Sequence, residues 1–265
     1  MSMNYIRSNK EAWEEAFENR QEGWGEDIVS RVKGEHLPFF EQEMVAILDR
    51  LTLKGAQVAQ FCCNNGRELL SLVHAGAAGG TGFDIAENQI AFANSRAREL
   101  ECPCRFIAAN ILDLGDEYTE CFDLAIITIG ALCWFKDLPT FFAVVSRSLK
   151  KGGKLIINEQ HPVTNMLGAP GEPGYEESRP ASCVHSYFDK EWIEEDGMYY
   201  LTGKSYKSKP FINYTHSLSE IIGSMCAKGL VITDLKEFDY DISGMFAHLD
   251  RKGIPLSCII QAEKR

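Results

Sequence analysis

The amino-acid sequence predicts a doubly wound α/β fold, and three observations carry that reading. Short apolar runs alternate with stretches of helical spacing through the first 160 residues. The run Phe122-Asp123-Leu124-Ala125-Ile126-Ile127-Thr128 is almost continuously apolar after Asp123, which suits a parallel strand buried on both faces. Residues 58–70 pass from an apolar run through Cys62, Cys63, Asn64, Asn65 and Gly66 into a helical pattern, the form of strand, tight turn and helix. In an open sheet, the loop leaving the first strand is where a nucleotide-like ligand sits. Small side chains let the backbone approach the ligand, and the helix N-terminus supplies free N–H donors.

The elements follow in order. Asn9 is placed to cap a helix over Glu11–Asn19 that carries Trp13 and Phe17 on one face. Phe39, Phe40, Met44, Ile47, Leu48 and Leu51 recur at spacings of three and four, which predicts a helix over 38–51. Strands are predicted at Val58–Cys62, Gly80–Phe83 (ending at Asp84), Cys104–Ala108, Phe122–Thr128 and Lys154–Asn158. Helices between them run from Gly66 to His74, along Ile90, Ala93, Ala97 and Leu100, and along Leu138 to Leu149. Lys150-Lys151-Gly152-Gly153 reads as the stop of the last of these, basic residues followed by glycine. Strand-helix repetition of this kind implies right-handed crossovers. Five prolines interrupt residues 162–212, yet aromatic residues are frequent there, so the segment reads as an insertion over the active face rather than a disordered linker. Met198–Thr202 has the composition of a strand within it. A helix over Ser217–Lys228 and strands at Val231–Phe238 and Leu256–Gln261 complete the chain.

Bulk properties bound the function. At 265 residues the chain is one domain with insertions, divided as an N-terminal helical lid (1–54), a core (55–161), an insertion (162–215) and a C-terminal helix with strands (216–265). A net charge of −11 argues against a nucleic-acid-binding surface, and Lys204, Lys207 and Lys209 read as a solvated loop. No stretch approaches the apolar length of a membrane span, and the segment from Met1 to Arg7 has no apolar signal core, so a cytoplasmic protein is expected. Nine cysteines, an odd number without Cys-x-x-Cys spacing, read as reduced thiols rather than metal ligands.

Asp84 lies 18 positions past Gly66, where a carboxylate at the end of a second strand accepts from both ribose hydroxyls; with Glu87 it also resembles a capping box. Together with the turn at 60–66, these residues resemble the class I S-adenosylmethionine-dependent methyltransferases over roughly residues 55–160. That family's first motif ends its strand on an acidic residue and continues Gly-x-Gly-x-Gly. Here Gln60 stands at the acidic position, Cys62 and Asn64 at the first two glycines, and Gly66 keeps the third. The resemblance implies a seven-stranded, mostly parallel sheet with N-terminal helices, and S-adenosylmethionine as cofactor with S-adenosylhomocysteine as product. It implies cofactor contacts at Gln60, Cys62, Asn64, Gly66, Asp84, Ile85, Gln89, Asn110, Ile111 and Thr128. Asn110-Ile111 matches the adenine segment after the third strand, and the Leu149–Leu155 stretch matches the turn into the fifth.

The stretch Thr128-Ile129-Gly130-Ala131-Leu132-Cys133-Trp134 lacks the Asn/Asp-Pro-Pro-Tyr pattern of amino-directed nucleic-acid methylases, so a small-molecule acceptor is expected, with no nucleic-acid or membrane partner and a monomer or homodimer. Methyl transfer from a sulfonium needs mainly alignment and exclusion of water, with a base for some nucleophiles. His161, just past the fifth strand, is the candidate base, with hydrogen bonding to backbone as its alternative role. Trp134, Tyr187, Trp192 and Tyr214 are candidates for an aromatic pocket, and His216 for capping or packing the last helix. No metal site is expected. The rival readings are a non-catalytic or sensory cofactor-binding protein of the same fold, and a nicotinamide-dependent oxidoreductase, which the absence of Gly-x-Gly-x-x-Gly disfavours.

Overall fold

A computed structural model describes residues 5–265, so residues 1–4, part of the segment read for a signal core, lie outside the described residues. The elements are α1 (Tyr5–Glu18), α2 (Ile28–Gly34), α3 (Gln42–Leu48), β1 (Gln57–Phe61), α4 (Arg67–His74), β2 (Gly79–Asp84), α5 (Glu87–Glu99), β3 (Cys104–Ala108), β4 (Phe122–Thr128), α6 (Leu138–Ser148) and β5 (Leu149–Gln160). They continue with β6 (Glu191–Glu194), α7 (Tyr199–Thr202), β7 (Phe211–Tyr214), α8 (Leu218–Ala227), β8 (Leu230–Phe238) and β9 (Ser257–Lys264).

The main sheet has seven strands in the order β3-β2-β1-β4-β5-β9-β8. The first four pairings are parallel; β5 with β9 and β9 with β8 are antiparallel. The order reverses between β1 and β4, which makes the C-terminal ends of those strands a topological switch point, the place where such sheets bind ligands. The two faces of the sheet carry separate cores. One gathers Phe61, Phe83, Phe141 and Phe142, all fully buried, under α6 and α8; the other packs Leu69, Leu70, Met44 and Ile126 under α2 to α5. Each such side chain contributes about 1.5–3 kcal/mol by leaving water.

Several local expectations change. Asn9 does not cap α1 but lies inside it, 4% exposed, with its Nδ2 donating to the Ile212 carbonyl (2.9 Å) and its Oδ1 accepting from the Ile212 N–H (2.7 Å). An amide pairing a strand's backbone in both directions outweighs the modest cost of Asn within a helix. The 38–51 pattern yields only Gln42–Leu48, and α2 precedes it. Lys150–Gly153 is no helix stop. Chain β5 begins at Leu149, paired with Phe122, and bulges before Lys154 pairs with Leu124. Residues 199–202 are a helical turn rather than a strand, and the insertion's strands are instead β6 and β7, an antiparallel pair outside the main sheet. Ala86, not Asp84, is the N-cap of α5, with no capping side-chain bond of its own. The first turn of that helix is met instead by Glu14 of α1, whose Oε1 accepts from the Glu87 N–H (3.1 Å) and whose carbonyl accepts from Asn88 Nδ2 (2.8 Å). Helix α1 is thereby fixed above the C-terminal edge of β2. Among the described residues no helix is long and apolar enough to cross a membrane.

Candidate active site

The loop after β1 turns on three left-handed residues: Cys62 (φ 58°), Asn64 (φ 50°) and Gly66 (φ 81°). These are the positions where the family motif carries glycine. The backbone shape is kept although two side chains differ. Asn adopts this region more readily than most L-residues, whereas Cys62 holds it at a cost of about 1–2 kcal/mol. Gly66 has no substitute, because a Cβ there would meet Phe106 Cζ at 2.5 Å.

Asp84 holds this loop from below. Its Oδ2 accepts from the Asn64 N–H (2.8 Å) and its Oδ1 from the Ala86 N–H (3.1 Å), and the Ile85 N–H also faces the carboxylate, which still leaves it acceptor capacity. Burial raises its pKa, and the backbone N–H groups oppose that shift. Gln60, 1% exposed, donates from Nε2 to Thr128 Oγ1 (3.0 Å) and, at 3.5 Å, to Glu68 Oε2; its Oε1 takes no hydrogen bond. Gln89 Oε1 and Asn65 Nδ2 are likewise buried without partners. Three orphaned buried polar atoms around one loop mark a place built for polar ligand groups, since such atoms are costly when left unpaired. Ile85 is half-buried beside Asp84. Asn110 lies at the end of β3 and turns the chain by accepting from the Leu112 N–H (3.2 Å), with Ile111 buried behind it. The ten sequence-predicted contacts thus line the C-terminal ends of β1 to β4 and the start of α5.

A carboxylate passed over in the sequence organises the other side. Glu159, near the end of β5 and 6% exposed, accepts from the backbone N–H groups of Gly130 (2.6 Å), Ala131 (2.6 Å), Leu132 (3.0 Å) and Gln160 (3.0 Å). It clamps the loop that leaves β4. Burial pushes its pKa up against those four donors. His161, by contrast, has little left to offer. It is 4% exposed, its Nδ1 accepts from the Val163 N–H (3.1 Å), and its Nε2 lies 2.9 Å from Glu237 Oε1, out of line for a good hydrogen bond. Burial lowers its pKa, partly offset by Glu237. Its observed contacts match the backbone-bonding alternative.

The four aromatic candidates are not gathered in one pocket. Trp134 packs edge-on to Trp13 of α1 (5.3 Å) and near Phe211 of β7 (6.0 Å), whereas Tyr214 packs on Tyr5 and the Tyr187 hydroxyl accepts from the Leu218 N–H. Trp192 is 39% exposed. His216 Nε2 bonds the Phe135 carbonyl at 2.8 Å, and Ser217 rather than His216 caps α8. A cleft of ≈ 300 Å³ opens between residues 21–31 and the first loop, lined by Trp24, Arg31, Phe39, Asn65 and Arg67. Another, of ≈ 340 Å³, lies at the opposite end of the strands around Gln57, Gly80 and Phe122, away from these groups.

Residues 58–153 match the family model of the methyltransferase domain. By that match this part of the chain resembles a methyltransferase domain. The match runs from β1 into β5 and so covers the left-handed loop, Asp84, Asn110 and the loop after β4. No curated protein matches the chain. Among solved structures, the methyltransferase fold here resembles an S-adenosylmethionine-dependent methyltransferase from Mesorhizobium loti (20% identity, TM-score 0.61, covering 88% of this chain and 100% of that one). It also resembles geranyl diphosphate C-methyltransferase from Streptomyces coelicolor, solved with Mg2+, geranyl diphosphate and S-adenosyl-L-homocysteine (16% identity, TM-score 0.62, covering 100% and 99%). At these identities the likeness is one of fold.

Proposed function

We propose that this methyltransferase uses S-adenosylmethionine to methylate a small molecule, with the cofactor across the loop at 62–66. The observation that carries the reading is that loop: Cys62, Asn64 and Gly66 keep the left-handed backbone of a glycine motif, tied by the Asn64 N–H to Asp84. Two of these residues hold that shape at a conformational cost, and they stand at alternate positions with Gly66, the spacing of the glycine motif. The cofactor supplies an electrophilic methyl group on a sulfonium. The remaining lone pairs of Asp84 accept from the ribose hydroxyls, Gln60 Oε1 accepts from the ammonium of the methionine part, and Asn110 with Ile111 borders the adenine. Glu159 holds the loop after β4 against the methyl-bearing side, and the aromatic residues of α1 and β7 exclude water from it. No part of this scheme uses His161.

The reading is tested by calorimetric titration of the full chain with S-adenosylmethionine and S-adenosylhomocysteine. Micromolar binding is expected, weakened about 10- to 150-fold in Asp84→Ala, the range for lost hydrogen bonds to a charged group. Absence of binding of either compound at millimolar concentration by the folded protein overturns it.

A further inference from the structure

The insertion hairpin carries polar groups that the fold does not use. In the β6–β7 pair, Glu194 lies opposite Phe211 and Trp192 opposite Asn213. Directly opposed and alternate residues share a face, so these four side chains project together. That face meets the chain just past β4, for Phe211 packs on Trp13 (5.4 Å) and on Trp134 (6.0 Å). Trp13 and Trp134 each keep part of their surface open. Trp134 stands two residues beyond the segment that Glu159 clamps.

Two features of this face call for a ligand. Asn213 is 4% exposed, and its Nδ2 donates to nothing in good geometry, although it lies beside Glu194. Glu194 is half-buried and takes only the Trp192 Nε1–H (2.9 Å) as a well-formed hydrogen bond. Among the described ion pairs none includes Glu194, and the charged groups facing it are the carboxylates of Asp196 and Glu172. Burial is the largest cause of its raised pKa, with those two carboxylates adding to it. A desolvated carboxylate among like charges is stabilised by a cation from outside, and partly exposed indoles such as Trp13 and Trp134 are side chains such a cation packs against.

We infer that the acceptor is an amine that enters protonated, anchored by the Glu194 carboxylate over Trp13 and Trp134, with Asn213 Nδ2 available to a neighbouring acceptor atom of the same molecule. The inference rests on the methyltransferase reading and names the acceptor class for that site. Glu194 takes one proton from the ammonium. The freed nitrogen lone pair forms the N–C bond to the transferred methyl, while the C–S bond breaks and its electron pair stays on sulfur. The product leaves as the methylated ammonium and the Glu194 proton passes to solvent, so one proton is released per turnover.

The test titrates the full chain, alone and saturated with S-adenosylhomocysteine, with tryptamine, benzylamine and spermidine, and with the uncharged and anionic analogues indole-3-ethanol and indole-3-propionate. At least one amine is expected to bind ten-fold or more tightly than either analogue. Glu194→Gln should weaken that amine about 10- to 100-fold, as for a lost bond to a charged group, with S-adenosylhomocysteine affinity and the circular dichroism spectrum unchanged. Failure of every amine to bind overturns the inference, as does equal binding of the analogues or an amine preference that survives Glu194→Gln. If S-adenosylhomocysteine binds while the amines do not, only the acceptor assignment falls. If S-adenosylhomocysteine does not bind, the cofactor reading falls, and the titration of the free chain still decides whether Glu194 holds amines.

Discussion

Glu159→Gln removes the clamp on the loop after β4, and the structure sets the size of the effect. One carboxylate oxygen accepts from Gly130 and Gln160, the other from Ala131 and Leu132. Whichever way the amide is turned, glutamine keeps an oxygen toward two of these donors and sets an NH2 group against the other two. Two charge-assisted bonds at about 1.5–3 kcal/mol each amount to about 3–6 kcal/mol lost. The raised pKa shows that burial outweighs the four donors for the charged form, so neutralisation returns much of that sum; the amide NH2, which unlike a protonated carboxyl cannot turn its hydrogens away from two buried N–H groups, leaves a net loss of about 2–4 kcal/mol. For a chain of this size the melting temperature should fall by roughly 4–16 °C, at about 2–4 °C per kcal/mol. Scanning calorimetry at pH 7 reads the shift, and hydrogen exchange at Gly130 to Leu132 reads the loop. The folded-state pKa lies above the unfolded value, so wild type gains stability from this group as pH falls through the folded pKa, and the variant lacks that slope. A melting temperature within about 1 °C of wild type, with unchanged protection of the three amides, would refute the clamp.

Cys62→Gly relieves a left-handed cost of about 1–2 kcal/mol and adds chain entropy worth about 0.5–1 kcal/mol to the unfolded state, so thermal unfolding should be unchanged or shifted upward by a few degrees. A loss of many degrees would show that the thiol's packing, not the turn, governs the loop. Asn9→Leu leaves the Ile212 N–H and carbonyl unpaired, at about 1–3 kcal/mol each, and should lower the unfolding midpoint in urea while speeding amide exchange in α1; unchanged exchange there would detach α1 from β7. Hydrogen bonding from Lys190 is the first cause that holds Glu220 down at about 2. Its contribution is present above the unfolded pKa near 4.3 and is lost as pH falls through about 2. Glu220→Gln should therefore reduce stability at pH 7, by less than about 1 kcal/mol because the pair is largely exposed, and leave thermal unfolding near pH 2 unaltered; an equal loss at both values would place the effect elsewhere.

The central strand β4 was legible because a parallel strand covered on both faces must be apolar, and the edge strand β3, with Arg105 exposed, was legible from its place in the strand-helix alternation; they fall where predicted, Phe122–Thr128 and Cys104–Ala108. The turn after β1 was legible because few residue types permit its backbone, and Asn64 and Gly66 are among them. What escaped the sequence depends on partners distant along the chain. Nothing near Asn9 announces Ile212, and nothing near Glu159 announces the N–H groups some 30 positions earlier. The Glu191–Glu194 strand is short, alternates around Trp192 and sits in a proline-rich insertion, where period-two patterning has too few residues to register. Lys150–Gly153 misled because a helix stop and a β-bulge both call for glycine at positive φ, and here Gly152, at 75°, serves the bulge.

Gln60 poses the sharper question, since the family's acidic position here carries no charge. The neighbouring geometry supplies one. Gln60 Nε2 points at Glu68 Oε2, and Glu68 is 6% exposed at the start of α4, with its other oxygen 2.8 Å from Arg67 Nε. A carboxylate near the positive end of a helix dipole is favourable there, and the polarised amide passes part of its negative potential on to Gln60 Oε1, the atom without a partner. The chain thus keeps an acceptor at the family's position while setting the formal charge one side chain away. A ligand ammonium would be held by an amide oxygen backed by an ion pair instead of by an ion pair directly. Such an arrangement predicts a weaker grip on the methionine end than an acidic residue gives. On the proposed function, more of the selectivity would then fall to Asp84 and the left-handed loop.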